Sequence, residues 1–544
     1  MTTKTYAAFS TKATPQTEPI PGETMVPNNA GGYAYALDKW AAFQRFLVLG
    51  TEGGTYYVKE KPLTAAGATN ALACIAEDGA RAVDLIVAIS DAGRAPKNTA
   101  AEFALALAAA AKDDKTRALA LAALPKVCRI PTHLFHFLTF VKQHRGFGRG
   151  LRRAVGDWYG RWTPEKLAFE LAKYQGRDGW TNKDVLRQAH PKLDASRAAA
   201  LRWAIGAPLE AREVSRDRGA RTSRYGAAGP LPAVLEAMEA IKTADVKTAV
   251  ALINTHGLTR EMLPTELLDK AAVWEALLGT AERGMPVTAL IRNLGNLSKC
   301  GLLTPMSAAS KFVVARLGDQ ADLKRGRVHP VAVLLALKTY GSGKGLKGSG
   351  EWTPVPAVVD ALDDAFYLAF SALEPTGKRL LFGIDVSGSM TSPCGGLPIS
   401  CAEGAAAMAM ACLKSEKDYF VMAFDQGFRD LGLTPKMRLD DVLKRTSNIN
   451  GGGTNCALPM IYAREHNLKV DGFVVITDNE TWAGDSHPSQ ELRRYRDTSG
   501  IAAKQVVIGM TATDITIADP KDPGALDCVG FDSTTPQVVT EFIR

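Results

Sequence analysis

The chain has no apolar run approaching the ~18 residues of a membrane-spanning helix. Its opening, MTTKTYAAFSTKATPQTEPIPGE, lacks the apolar core that a secretory signal uses. Residues 1–30 therefore read as a mobile polar lead-in. Cysteine is sparse: eight residues, at 74, 128, 300, 394, 401, 412, 456 and 528, with no CxxC pair. Histidine is equally sparse, and no HExxH or paired metal spacing occurs. These absences argue against a zinc module and a disulfide framework. Scattered thiols in a long chain point to a reducing compartment, the cytoplasm. With 46% hydrophobic and 22% charged residues, global disorder and a collagen-like repeat are excluded too. At roughly 100–200 residues per domain, 544 residues call for two or three domains.

Charge is present but unevenly placed. The formal net charge is +8, yet residues 126–224 hold 21 Lys or Arg against 9 Asp or Glu, a net of +12 that leaves the remainder at −4. No acid occurs from Lys126 to Gly156, and four of the eight histidines, at 133, 136, 144 and 190, fall in the basic stretch. Such a segment repels itself unless something compensates, and it has the electrostatic footprint of a polyanion binder. An arginine-rich solvated helix surface is the plainer alternative.

Residues from about 35 to 340 read as helix after helix. KNTAAEFALALAAAAK and KTRALALAALP are rich in strong helix formers. Thr163 reads as an N-cap with Pro164 at the first helical position, and Thr181 and Asp184 have capping-box spacing ahead of a helix stopped at Pro191. Gly206 sits where a C-cap belongs. The helices are short and amphipathic with short connections, which fits antiparallel pairs stacked as an α-solenoid; a compact bundle is the alternative. GSGKGLKGSG (341–350) faintly resembles a phosphate loop. However, Gly345 follows Lys344 where Ser or Thr is needed and position 338 is Lys, so it reads as a flexible loop.

After about 375 the rhythm changes to strand–helix alternation: KRLLFGIDVS, AEGAAAMAMACLK, DYFVMAFD, CALPMIYAREHN, DGFVVITDN, AAKQVVIGM and TPQVVTEFIR. This pattern predicts a doubly wound parallel sheet, whose ligands bind beyond the carboxyl ends of the strands. Asp385, Ser387 and Ser389 follow the first strand. Thr454 follows the glycines 451–453, and Asp478 ends the GFVVIT strand. Two carboxylates and three hydroxyls form a hard-oxygen set suited to Mg2+ or Mn2+. Ser387 and Ser389 could instead cap a strand-to-helix turn. A haloacid-dehalogenase-like phosphatase would want an Asp at 387, and the G-x-S-x-G of an α/β-hydrolase is missing from this loop. No nucleophile–base pair is visible, so the chain is expected not to be an enzyme.

DxSxS, a loop Thr and a strand-end Asp, in this order, resemble the metal-ion-dependent adhesion site of von Willebrand factor A domains, over about 376–544. Further strings, RFLVLGTEGGTYYVKEKPL, KVCRIPTHLFHFL, GRGLRRAVGDWY, LAKYQGRDGWTNKDVLRQAHPKL and MPVTALIRNLGNL, resemble the TROVE module of the Ro family, here about 31–370. The resemblance implies HEAT-like repeats closing into a ring, followed by the A domain. It also implies a scaffold that binds small noncoding Y-type RNA on its outer surface and single-stranded 3′ ends of misfolded RNAs in its hole. Bacterial relatives work with exoribonucleases in RNA maturation and decay. In the family pattern, the Lys before a Tyr and the His ending the segment contact Y RNA; here they are Lys173 and His190, with Arg177, Lys183 and Arg187 between them. Arg149, Arg152 and Arg153 share a helix face, and with Lys142 and Arg145 they are candidates for further phosphate contacts. Tyr56, Tyr57 and Trp158 could stack on bases, with burial the plainer reading. Two rivals stand beside the RNA scaffold: an adhesion module gripping an acidic residue of a partner protein, and a metal-dependent nuclease or phosphatase.

Overall fold

The computed structural model describes residues 13–51, 63–191, 194–206, 230–279, 284–345, 350–370, 374–394, 398–414, 416–447 and 451–544. Tyr56 and Tyr57 lie outside them. The chain divides into two compact units, Ala71–Ala369 and Met1–Asn70 with Phe370–Arg544.

The 71–369 unit is built from helices, apart from one two-stranded hairpin and isolated bridges among its described residues. Its caps follow the sequence. Thr163 accepts from the Lys166 N–H, Thr181 and Asp184 form a capping box, and Gly206 closes Ala195–Ile205 in the left-handed region. Alternate helices pack on each other: Gly79–Ala92 on Asp114–Val127, that helix on Arg149–Gly160, and that one on Asn182–Ala189. Thr99–Ala109 packs on Pro131–His144 in the same way. Packing of each helix on its next-but-one neighbour is the geometry of stacked helix pairs, a helical-repeat architecture. The last helices of the unit return to the first: Arg327 pairs with Asp91 at 3.0 Å, and the His329 ring bonds the Arg94 carbonyl at 2.9 Å. Trp158 is fully buried and its indole N–H donates to the Cys128 carbonyl. Of the glycine-rich stretch 341–350, positions 346–349 lie outside the described residues; Lys344 pairs with Glu351 at 3.4 Å.

The other unit centres on a six-stranded sheet in the spatial order Ala525–Val529, Lys504–Gly509, Gly472–Thr477, Leu380–Asp385, Tyr419–Phe424, Phe428–Asp430. The first five strands are parallel and the last is an antiparallel edge. Leu380–Asp385 and Gly472–Thr477 are buried along their whole length, as strands covered on both faces must be. One face packs Leu381 and Phe473 against Met460, Leu492 and Tyr495. Helix Cys401–Leu413, buried at every position, also packs on Leu380–Asp385.

The lead-in expected to be mobile is, from residue 13, part of this unit. Met25–Pro27 and Tyr33–Ala36 pair antiparallel, and the latter pairs with Ile515–Thr516. Gln16 is wholly buried, and its amide nitrogen donates to Asn455 Oδ1 at 2.9 Å and to the Ser486 carbonyl at 2.8 Å. Arg45, on helix Lys39–Leu49, pairs with Asp527 at 2.7 Å. Polar composition does not imply mobility where each polar group has a partner. All eight cysteines are free thiols, seven of them buried. No helix of the described residues is long and apolar enough to cross a membrane.

Candidate metal centre and nucleic-acid interface

The central strand Leu380–Asp385 has its sequence successor, Tyr419–Phe424, on one side and Gly472–Thr477 on the other. The connections diverge there, the point beyond the carboxyl ends of the strands at which sheets of this kind bind ligands. The structure brings all three predicted segments to it. Asp385 and Asp478 are fully buried, and Ser387, Ser389 and Thr454 nearly so. The Ser387 N–H donates to Asp385 Oδ1 at 2.9 Å, and the two serine hydroxyls lie 3.1 Å apart. The Thr477 hydroxyl donates to Asp385 Oδ2 at 2.5 Å. The Glu480 N–H fixes Asp478 Oδ1 at 3.0 Å.

The glycine loop fits against this turn because it lacks side chains. The Gly388 N–H donates to the Gly452 carbonyl at 3.1 Å. A Cβ on Gly451 would stand 1.9 Å from the Val386 carbonyl oxygen and 2.7 Å from Ser387 Cα, both backbone atoms. The N–H groups of Trp482 and Ala483 hold the Thr454 carbonyl at 3.0 and 2.9 Å, tying that loop to the segment after Asp478.

The donor set fits a hard divalent cation. Asp478 Oδ2 is buried and has no hydrogen-bond partner among the described residues. Burial, and then the charge of Asp478, raise the Asp385 carboxyl to about 7, and burial also raises that of Asp478. Two adjacent buried carboxylates with an unmatched oxygen are costly unless a cation compensates them. The neighbouring acids are engaged elsewhere. Glu480 accepts from the backbone and side-chain nitrogens of Asn29 at 2.8 and 2.6 Å, and Asp425 pairs with Arg429. The arrangement can bind a cation, but no spare general base stands beside it among the described residues.

Sequence reasoning missed the supports. Asp425 ends the strand beside Leu380–Asp385 and receives the Gly427 N–H at 2.8 Å. The strand-end rule that selected Asp385 and Asp478 reaches it as well. Gln16, Asn28 and Asn455 carried no local signal, because their partners are distant in sequence.

In the helical unit, Lys142, Arg149, Arg152, Arg153, Arg177, Lys183, Arg187 and His190 are exposed, and Lys173 is half-buried. Arg149, Arg152 and Arg153 occupy the first turn and a half of Arg149–Gly160, which has Gly148 as N-cap and no acid in its first turn. Arg177 lies on the hairpin Gly176–Arg177/Trp180–Thr181, which packs on helix Pro131–His144. The Lys142 ammonium sits 5.8 Å from the Trp180 ring, so Lys142 belongs to the same locality. His190 ends Asn182–Ala189 in the left-handed region. Lys173 ends helix Pro164–Lys173, three residues before the hairpin, its ammonium 5.8 Å from the Phe169 ring and 5.2 Å from that of Tyr174. Arg145 is half-buried, and its guanidinium donates to the Ala109 carbonyl, closing the end of helix Thr99–Ala109. A further polar network underlies the hairpin. Buried Glu102 holds His136 at 2.8 Å, and His136 reaches Asp178 at 3.3 Å.

Comparison with known proteins defines the class. Residues 26–340 match the TROVE domain and residues 379–543 the Ro60 vWA domain, so the chain joins a TROVE helical module to a Ro-type von Willebrand factor A domain. The protein named RNA-binding protein RO60 of Deinococcus radiodurans is 40% identical over 538 residues, 97% of each chain. Its namesake in Caenorhabditis elegans is 36% identical over 583 aligned positions, 95% of this chain and 90% of that one. A crystal structure of the Deinococcus radiodurans RO (RSR) protein, also 40% identical, matches with a TM-score of 0.68 over 93% of this chain and 99% of that one. The chain belongs to the Ro family of TROVE-domain proteins.

Proposed function

We propose that this protein is an RNA-binding scaffold of the Ro type. Its helical unit docks a small structured noncoding RNA of the Y type and accepts single-stranded 3′ ends of misfolded RNAs. It works with an exoribonuclease in RNA maturation or decay in the cytoplasm, without cutting RNA itself. The observation that carries this reading is the exposed cation face of an acid-poor stretch, in a chain whose relatives are named RNA-binding proteins. Arginines at a helix start work against the helix dipole, so their placement favours a use other than stability. Lys173 and His190 serve the structured RNA, while Lys142, Arg145, Arg149, Arg152, Arg153, Arg177, Lys183 and Arg187 neutralise phosphates.

The test is binding of a Y-like hairpin RNA and of a generic single strand across a salt series. Affinity is expected to fall steeply with salt. Lys173→Ala with His190→Ala is expected to weaken the hairpin more than the single strand. Unchanged affinity in that double variant removes the assignment of those two residues.

A second reading concerns the other unit, and the buried, unmatched Asp478 Oδ2 favours it. Asp385, Ser387, Ser389, Thr454 and Asp478 would hold Mg2+ or Mn2+, and the ion would supply an electrophilic position for an acidic residue of a partner protein. Asp385 and Asp478 neutralise the ion, the hydroxyls complete its oxygen shell, and the glycine loop keeps Thr454 close to them. Retention of a protein partner in Mg2+ and its loss in EDTA would support this reading. Retention unaffected by EDTA would refute it.

A further inference from the structure

The helical unit contains a cavity of about 830 Å³, within the roughly 300–1,000 Å³ typical of small-ligand sites. It lies between the end of Pro164–Lys173, the end of Val246–His256, the turn Arg260–Met262 and the start of Val287–Lys299. The exposed arginines discussed above do not line it; of the earlier candidates only Lys173 does.

Its lining has three parts. Leu258, Leu277 and Met285 supply a buried apolar wall. Phe169 supplies a half-exposed aromatic ring, with the ammonium groups of Lys166 and Lys173 at 4.9 and 5.8 Å from its centre. Lys173 and Arg260 supply cations, which Glu261 offsets only in part. Within this lining Thr259 is anomalous. It stands at the N-cap of the Arg260–Met262 turn, where a threonine oxygen ordinarily accepts a backbone N–H, yet it makes no such bond. Its hydroxyl is buried and has no partner among the described residues. An apolar wall, an aromatic face and a pair of cations are what a nucleotide requires: a surface for the base, a stacking partner and charge for the phosphate.

We infer that this cavity takes a single nucleotide, with its base against Phe169 and the apolar wall and its phosphate toward Lys173 and Arg260. The inference rests on the reading of the helical unit as an RNA binder and adds a site for one unpaired residue beside Lys173. A nucleotide extruded from bound RNA and a free nucleoside monophosphate present the same groups, so the test separates them.

The probes are a hairpin RNA with one unpaired adenosine, the same hairpin made abasic at that position, and AMP, each measured on the full chain. A base stacked on an aromatic side chain is worth about five- to a hundred-fold in affinity. The wild type is expected to prefer the adenosine hairpin over the abasic one about tenfold. Ala276, on helix Ala271–Leu278, also lines the cavity; Ala276→Trp, which fills it, is expected to abolish that preference while leaving the abasic hairpin bound. Phe169→Leu, which removes the stacking ring, is expected to reduce the preference about fivefold and stands in should the tryptophan variant not fold. If the two hairpins bind equally but AMP binds the wild type and not Ala276→Trp, the cavity serves the free nucleotide. Equal hairpin binding with no AMP binding overturns the inference, as does a preference that both variants retain. Absence of binding to either hairpin in dilute salt overturns the RNA-binding reading instead.

Discussion

Helix Arg149–Gly160 begins with arginines at its first, fourth and fifth positions, on a glycine N-cap that offers no side-chain acceptor. A helix start carries roughly half a positive charge, so each cation there costs about 0.3–1 kcal/mol at low ionic strength. Arg149 and Arg153 are also one turn apart, a like-charge pair that costs about 0.2–0.5 kcal/mol more. Converting both to Gln should therefore stabilise the protein by about 1–2 kcal/mol in dilute salt. For a unit of this size that is a rise in Tm of about 2–3 °C. RNA binding should move the opposite way. If both side chains neutralise phosphates, the slope of log affinity against log salt should shrink by about 1.4–1.8. Arg152 is left intact because its Nε donates to the Phe147 carbonyl at 3.1 Å. Thermal melts and filter binding on the same preparation read both quantities. A variant less stable than its parent refutes the dipole argument. An unchanged salt slope refutes the assignment of these arginines to RNA.

Three further outcomes follow from the geometry. Mg2+ is expected to raise the Tm of the wild type, and Asp478→Asn is expected to abolish that rise while stabilising the metal-free protein by removing an unmatched buried charge; a Mg2+-dependent rise in the variant would sink the ligand assignment. Gly451→Ala should cost about 2 kcal/mol or more and weaken the Mg2+ effect, since its Cβ would meet the backbone of Val386 and Ser387; an unaltered melt would contradict the close approach. His136 is held above the usual histidine value, first by its bond to Glu102 and then by the charges of Glu102 and Asp178, against burial and Arg177. A group raised on folding stabilises fully below its unfolded pKa of ~6.5, and that stability fades as pH rises through the folded value. The loss in Tm caused by His136→Gln should therefore be larger at pH ~5.5 than at pH ~8; His133, held low by burial and in part by the charge of His136, is relieved in the variant and offsets some of that difference. A loss that grows with pH would refute the sign.

Where features were legible, the cause was local. The buried parallel strands announce themselves as continuous apolar runs, and the metal-site candidates sit at their ends because sheet topology leaves a crevice there. The Thr181–Asp184 box and the Thr163 cap need only neighbours three residues away. The hairpin at 176–181 was missed although Asp178-Gly179 is a turn signal, because its strands are too short to show alternation. Gln16, Asn28 and Asn29 could not be read at all. Each is polar, in a polar segment, and finds its partner more than four hundred positions later. The meeting of Arg327 and His329 with Asp91 and Arg94 likewise depends on the accumulated rotation of every intervening helix, which no short window contains.

The inclusion of residues 13–70 in the same unit as 370–544 makes the helical unit an insertion, with consequences for synthesis and for dissection. As the chain leaves the ribosome, helix Lys39–Leu49 with its buried Phe43, Phe46 and Leu47 emerges early, yet Ile515 and Asp527, the partners of its Arg45, are made last. Some three hundred residues of helices must be made in between, with that apolar helix unsheltered and in need of a chaperone or a temporary contact. A cut near residue 30 or 70, placed to free one half for study, would strip strands and a buried arginine from the other.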